Sequence, residues 1–230
     1  MTRAEMIRRL PKTGWRNRMA RLLFSLHKQS APTLFAAYQT KTRLRLPFEG
    51  EWYVYWGGRS LARNKHAVAS DQRFAYDFLI VKGRHSFAGT GERNEDYFCF
   101  GLPVVSPAPG VVARAIDSLP DNVPGEMNVE HPIGNHIILD HGNGEFSFLA
   151  HLKGGSLQVH AQERVASGAV VGHCGNSGNS SEPHLHFHLQ NTGLPFRGEA
   201  LPAFFCHYLW KGKIIARGEP IAGQTISPAQ

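Results

Sequence analysis

The chain has 230 residues, 42% of them hydrophobic, which suits one sizeable domain with extensions; no apolar run approaches the roughly 20 residues of a membrane-spanning helix. The formal charge of +7 sits in residues 1–30, where eight Lys/Arg face a single acid, Glu5, while the other 17 basic and 17 acidic residues cancel. The basic balance is thus a property of an N-terminal arm, and it gives no support to a nucleic-acid-binding core.

Residues 1–45 read as a basic, partly helical extension. Trp15, Met19, Leu22, Leu23 and Leu26 follow helical spacing. Two readings stay open: an amphipathic helix resting on an anionic membrane surface, or a basic helix that docks on the domain or frays in solvent. A secretory signal is a poor fit, because Leu22-Leu23-Phe24-Ser25-Leu26 falls short of the usual apolar region of about 7–15 residues.

From Pro47 the character changes. Trp52–Trp56 is an aromatic, β-prone run that stops at Gly57-Gly58. Residues 59–74 are polar and loop-like, 74–81 read as a strand, and 82–98 as a surface excursion. A strand follows over 110–115, after Pro107-Ala108-Pro109. Residues 117–134, rich in Pro, Asn, Asp and Gly, predict a long loop suited to forming a groove wall. Strands at 136–140 and 145–151 flank a turn containing Asn143-Gly144, a strong hairpin signal. A short strand is expected near 169–172. The polar run 175–181 reads as a flexible turn leading into the next strand. Residues 199–230 form a tail whose apolar segments should pack on the domain. With 24 glycines and 14 prolines punctuating short β runs, the fold class predicted is all-β. Cys99, Cys174 and Cys206 are odd in number and lack a CxxC, which predicts buried free thiols rather than a disulfide framework or a cysteine zinc site.

His184-Leu185-His186-Phe187-His188 carries the most chemistry. A strand's side-chain period of two puts the three histidines on one face and Leu185, Phe187 and Leu189 on the other. An imidazole-lined face over an apolar underside suits a metal or proton transfer. Thirteen histidines are spread along the chain, so this pattern alone assigns no role.

Several segments together resemble the lysostaphin/LytM-type zinc metallopeptidases, which cleave peptide cross-links in bacterial peptidoglycan. They are residues 103–112, the hairpin 134–144, Phe148-Leu149-Ala150-His151-Leu152, the glycine-spaced run 165–178, and Pro183-His184-Leu185-His186-Phe187. They occur in family order, and the resemblance covers residues 47–195. It implies curved antiparallel β-sheets around a central groove holding one zinc ion, in a peptidase domain over 46–198. It also implies a cell-envelope location and a peptidoglycan or other peptide substrate. By the resemblance, His186 is a zinc ligand, and His184 and His151 are catalytic histidines that do not bind the metal. Ala75-Tyr76-Asp77-Phe78 matches the aspartate side of the family's His-x-x-x-Asp pattern, which makes Asp77 a ligand; Asp71 is a rival carboxylate. The residue four before Asp77 is Arg73, which stays protonated and cannot ligate zinc. His66, eleven residues before Asp77, is the expected third ligand, delivered by a loop that folds back. His188, where the family often has Glu, reads as an outer or structural residue, as do His136 and His141. Two other functions stay open beside the peptidoglycan endopeptidase: an inactive module that binds peptidoglycan or activates a partner hydrolase, and a zinc peptidase of another peptide.

Overall fold

The computed structural model describes residues 30–229. The helical pattern read at 15–26 lies outside the described residues. Thirteen strands follow: β1 (Trp52–Trp56), β2 (Tyr76–Leu79), β3 (Pro103–Val105), β4 (Gly110–Ile116), β5 (Asn135–Asp140), β6 (Phe146–Leu152), β7 (Arg164–Val165), β8 (Val170–His173), β9 (Leu185–Gln190), β10 (Ala200–Leu201), β11 (Phe205–Trp210), β12 (Lys213–Gly218) and β13 (Thr225–Pro228). Among the described residues the only helical turns are two short 3-10 segments, Lys65–Val68 and Asn94–Asp96. The all-β expectation holds.

Eleven strands form one sheet in the order β12-β11-β13-β1-β2-β9-β6-β5-β4-β7, with β10 paired to β9; β3 and β8 form a second, small sheet. Every pairing of named strands is antiparallel. Residues 199–230 supply β10 to β13, and β13 is the strand that joins β1 to β11.

The two faces of the large sheet differ in what they bury. Tyr76 and Phe78 of β2, Leu185, Phe187 and Leu189 of β9, Leu149 of β6 and Ile137 and Leu139 of β5 point to one side and share a single apolar cluster. Val104 of β3 and Val171 of β8 join that cluster, so the small sheet covers this face. Each such fully buried side chain contributes roughly 1.5–3 kcal/mol relative to exposure. Leu44, Leu46 and Phe48, just before β1, are buried in the same core. Their approach is fixed by Glu145, whose carboxylate accepts hydrogen bonds from the backbone of Lys41 (2.7 Å) and Thr42 (2.8 Å) and from the Tyr38 hydroxyl (2.8 Å).

The opposite face carries Asp77, His186, His188, Ala150 and Phe148, brought side by side by register: Asp77 pairs with His186, His186 with Ala150, and His188 with Phe148. All six residues of β9 are buried, so this face too is covered. The 117–134 loop is tied down beside it. Asn135, fully buried, exchanges hydrogen bonds with Leu119, accepting from its N–H (3.0 Å) and donating to its carbonyl (2.8 Å). The loop then packs on the 175–181 turn, where Gly134 and Gly178 approach so closely that a Cβ on Gly178 would lie 2.4 Å from the Gly134 nitrogen. Both have positive φ, which glycine alone adopts freely. Asn135 is thus a buried bracket for the loop.

Candidate metal centre

Asp77 and His186 meet because β2 and β9 are neighbours in register. His66 arrives from the Lys65–Val68 turn, and Asn64 is what brings it. The fully buried Asn64 side chain accepts the His66 N–H (3.0 Å) and donates to the carbonyls of Gly58 (3.0 Å), Arg73 (3.2 Å) and Ala75 (3.0 Å). One amide thereby closes the whole 58–75 loop onto the start of β2. Asp77 Oδ1 ends 2.9 Å from His66 Nε2 and 3.0 Å from His186 Nδ1. Its other oxygen, Oδ2, pairs with Lys65 Nζ at 2.8 Å.

His151 reaches the same place through a backbone irregularity. Strict alternation along β6 would send Leu149 to the core, Ala150 to the site and His151 back to the core. The β5–β6 register shifts between Asn135 and Ile137, and His151 takes φ = 61°. This bulge turns His151 to the site face and returns Leu152 to the core. The left-handed backbone of a non-glycine residue costs of order 1–3 kcal/mol and tends to occur where function holds it. The His151 ring lies 4.8 Å from that of His184 and 5.6 Å from that of His186. His184, just before β9, has Nε2 3.7 Å from Asp77 Oδ1.

Carbonyls fix the tautomers of these two rings. His151 Nδ1 donates to Ser177 O (2.9 Å), and His184 Nδ1 donates to Glu182 O (2.8 Å). Each neutral ring therefore keeps an Nε2 lone pair, the form a general base needs. Burial pushes the pKa of His151 well down, with His184 and His186 adding to the shift. His66, His184 and His186 are also lowered, first by burial, with Asp77 opposing. Burial alone would raise Asp77, but His66, Lys65 and His184 beside it hold the carboxyl well below its ordinary range. Neutral imidazoles and an ionised carboxylate are the protonation states that metal ligation requires.

The donor set fits zinc. His66, Asp77 and His186 each offer one ligand atom, and these atoms all lie within 4.8 Å of one another. Two imidazoles and a carboxylate are typical protein ligands of a zinc centre that leaves a position open. The site opens into a cleft of about 320 Å³ lined by Lys65, His66, Gln72, His151, His186 and Phe196 among others. A larger groove of about 720 Å³, beside Arg43, Arg45 and His207, contains none of these residues.

Asp71, the rival carboxylate, is not part of the three-ligand cluster. His141 is held by Pro109 O (2.8 Å) and Ser147 Oγ (2.8 Å), and His136 by Gly134 O (2.7 Å). Cys99, Cys174 and Cys206 are free, and the first two are buried. Asn64, Lys65 and Gln190 were missed in the sequence. Only Asn64 had a local signal, since Asn readily caps a turn at the residue before it begins.

Residues 94–197 match the sequence profile of Peptidase family M23. This stretch resembles an M23 peptidase domain. It contains His151, His184, His186 and His188; His66 and Asp77 lie before it. Among curated proteins, the chain is similar to the DD-carboxypeptidase/endopeptidase Mpg of Neisseria meningitidis, 39% identical over 62 residues, which are 27% of this chain and 14% of the relative. It is also similar to the peptidoglycan DD-endopeptidase ShyA of Vibrio cholerae, 31% identical over 96 residues, 41% of this chain and 19% of the relative. The match thus spans less than a fifth of either relative's length. Among solved structures, the M23 metalloprotease pseudoalterin aligns with TM-score 0.46 and 16% identity, over 81% of this chain and 98% of that one. The catalytic domain of lysostaphin from Staphylococcus simulans aligns with TM-score 0.38 and 22% identity, over 66% and 88%.

Proposed function

We propose that this protein is a zinc metalloendopeptidase that hydrolyses peptide cross-links or stem peptides of bacterial peptidoglycan. The observation that carries the reading is the convergence of one donor atom each from His66, Asp77 and His186 within 4.8 Å of one another, beside two imidazoles with free Nε2 lone pairs. The M23 match and the likeness to the peptidoglycan DD-endopeptidase ShyA support the substrate class.

In this reading His66, Asp77 and His186 hold zinc, which supplies Lewis acidity that acidifies water and polarises the scissile carbonyl. His151 or His184 accepts the proton of the attacking water at Nε2, a step worth typically 10²–10⁴-fold. A ring protonated at Nε2 becomes a donor. It can then stabilise the oxyanion of the tetrahedral intermediate or pass the proton to the leaving amine. Lys65 keeps Asp77 Oδ2 engaged, so that Oδ1 alone faces the two ligand imidazoles. A peptidoglycan substrate implies work in the cell envelope. No helix among the described residues is long and apolar enough to cross a membrane.

Digestion of purified peptidoglycan, with product masses compared for wild type, His66→Ala and His184→Ala, tests the reading. New peptide fragments should appear with wild type alone. Undigested material with every protein, despite bound zinc, would favour another peptide substrate. Undigested material without zinc would favour a binding module.

A further inference from the structure

β9 carries a second row of chemistry behind the candidate ligand. His186, His188 and Gln190 alternate onto one face, and all are buried. His186 Nε2 lies 3.0 Å from His188 Nδ1, and His188 Nε2 lies 3.3 Å from Gln190 Oε1. The Gln190 amide nitrogen lies 2.6 Å from Thr192 O and 3.0 Å from Leu194 O.

Read from the Thr192 and Leu194 carbonyls, these contacts run in one direction. Carbonyls accept and cannot donate, so the end of Gln190 facing Thr192 and Leu194 must be its NH₂ group. Its oxygen therefore faces His188 and can only accept. His188 must donate from Nε2, and a neutral imidazole that donates at one nitrogen has a lone pair at the other. That lone pair, on Nδ1, accepts from His186 Nε2–H. His186 is then left with a bare Nδ1, the atom 3.0 Å from Asp77 Oδ1. A bare nitrogen against a carboxylate oxygen is a contact between two acceptors, which a cation between them would turn into shared ligation. The His188 ring is held in plane by Phe148, stacked at 4.4 Å and 17°.

We propose that Gln190 and His188 are positioning residues: a relay anchored on the Thr192 and Leu194 carbonyls that fixes His186 as its Nε2–H tautomer and turns the Nδ1 lone pair to the metal position. The inference deepens the zinc reading above and rests on it for its purpose. It also explains why three similar histidines present different atoms. The carbonyls of Ser177 and Glu182 make His151 and His184 offer Nε2, whereas the relay makes His186 offer Nδ1.

Two measurements on the full chain test it. First, the metal-stripped protein with ¹⁵N-labelled histidine is examined by long-range imidazole ¹H–¹⁵N NMR at mildly alkaline pH. His186 and His188 should each carry their proton on Nε2; a proton on Nδ1 of either ring overturns the relay. Gln190→Leu should leave a mixture of tautomers at both rings, and unchanged tautomers in that variant would also overturn it. Second, zinc affinity is measured by competition with a chromophoric chelator. His188→Leu should bind zinc about 10–100-fold more weakly, the range for outer-shell partners, and His188→Gln, which keeps an acceptor, should recover most of the loss. Equal affinity in wild type and in a folded His188→Leu overturns the relay; if that variant does not fold, the tautomers in wild type and Gln190→Leu decide. A wild type that binds no zinc sinks the zinc reading instead, while the tautomers still decide the relay.

Discussion

The buried amide of Asn64 accepts the backbone N–H of His66 at 3.0 Å, and the same side chain donates to three carbonyls at the two ends of the loop. His66 and Asp77 are eleven residues apart in sequence and 2.9 Å apart at their polar atoms because of this one residue. Asn64→Ala should therefore act on the metal site without touching it. Leaving buried carbonyls unpaired costs about 1–3 kcal/mol, so the variant should melt earlier. It should also gain less thermal stability from added zinc than wild type does. An unchanged zinc-dependent gain would show that the loop is held by other means.

Ligands and proton-handling residues should separate cleanly by zinc content. His66→Ala, Asp77→Asn and His186→Ala should each lose near-stoichiometric zinc after dialysis. His151→Ala and His184→Ala should retain it and lose hydrolysis by roughly 10²–10⁴-fold. Elemental analysis paired with an assay of peptide release checks both. Full zinc in His66→Ala would remove that residue from the ligand set.

Chelation should lower the melting temperature reversibly. A ligand that binds only the folded state stabilises by about 2.7 kcal/mol at a hundred times its Kd. Zinc held by His66, Asp77 and His186 would join the 58–75 loop to β2 and β9, so amide exchange in residues 64–68 should speed up most when the metal is stripped. Uniform acceleration across the sheet would place the effect elsewhere.

Glu145 should make stability acid-sensitive. Burial alone would raise its carboxyl, but hydrogen bonds from Thr42, Lys41 and Tyr38 outweigh it and hold the folded-state pKa below the ordinary value. The sign follows from linkage: the stabilisation is complete above the unfolded pKa and is lost as pH falls through the depressed folded one. Glu145→Gln should cost about 2 kcal/mol at neutral pH, the size of hydrogen bonds to a charged group, and the gap to wild type should close in acid. Denaturant unfolding across the acid range measures it; a pH-independent gap would contradict the charged form.

Some of this site was legible from short-range pattern. The alternation in His184-Leu185-His186-Phe187-His188 gave the imidazole row and the apolar underside, since a strand's period of two is a local property. The Asn143-Gly144 turn gave the β5–β6 hairpin for the same reason. Residues 199–230 showed apolar segments but not their partners. That β13 links β1 to β11 depends on a pairing far apart in sequence, Trp52 with Ile226, beside a nearer one, Trp210 with Ile226.

By itself, the sequence determined that this is a β protein with a histidine strand, because composition, turn residues and alternation act within a few residues of themselves. Family resemblance singled out His151 and Asp77, and His66 was read as delivered by a folded-back loop, but neither said which contacts bring the three together. Tertiary structure decided that. A bulge turns His151 to the site, the Asn64 amide carries His66 back to Asp77, and the carbonyls of Thr192 and Leu194 set through Gln190 and His188 which nitrogen His186 presents. Each depends on hydrogen-bond partners that only the folded chain brings within reach.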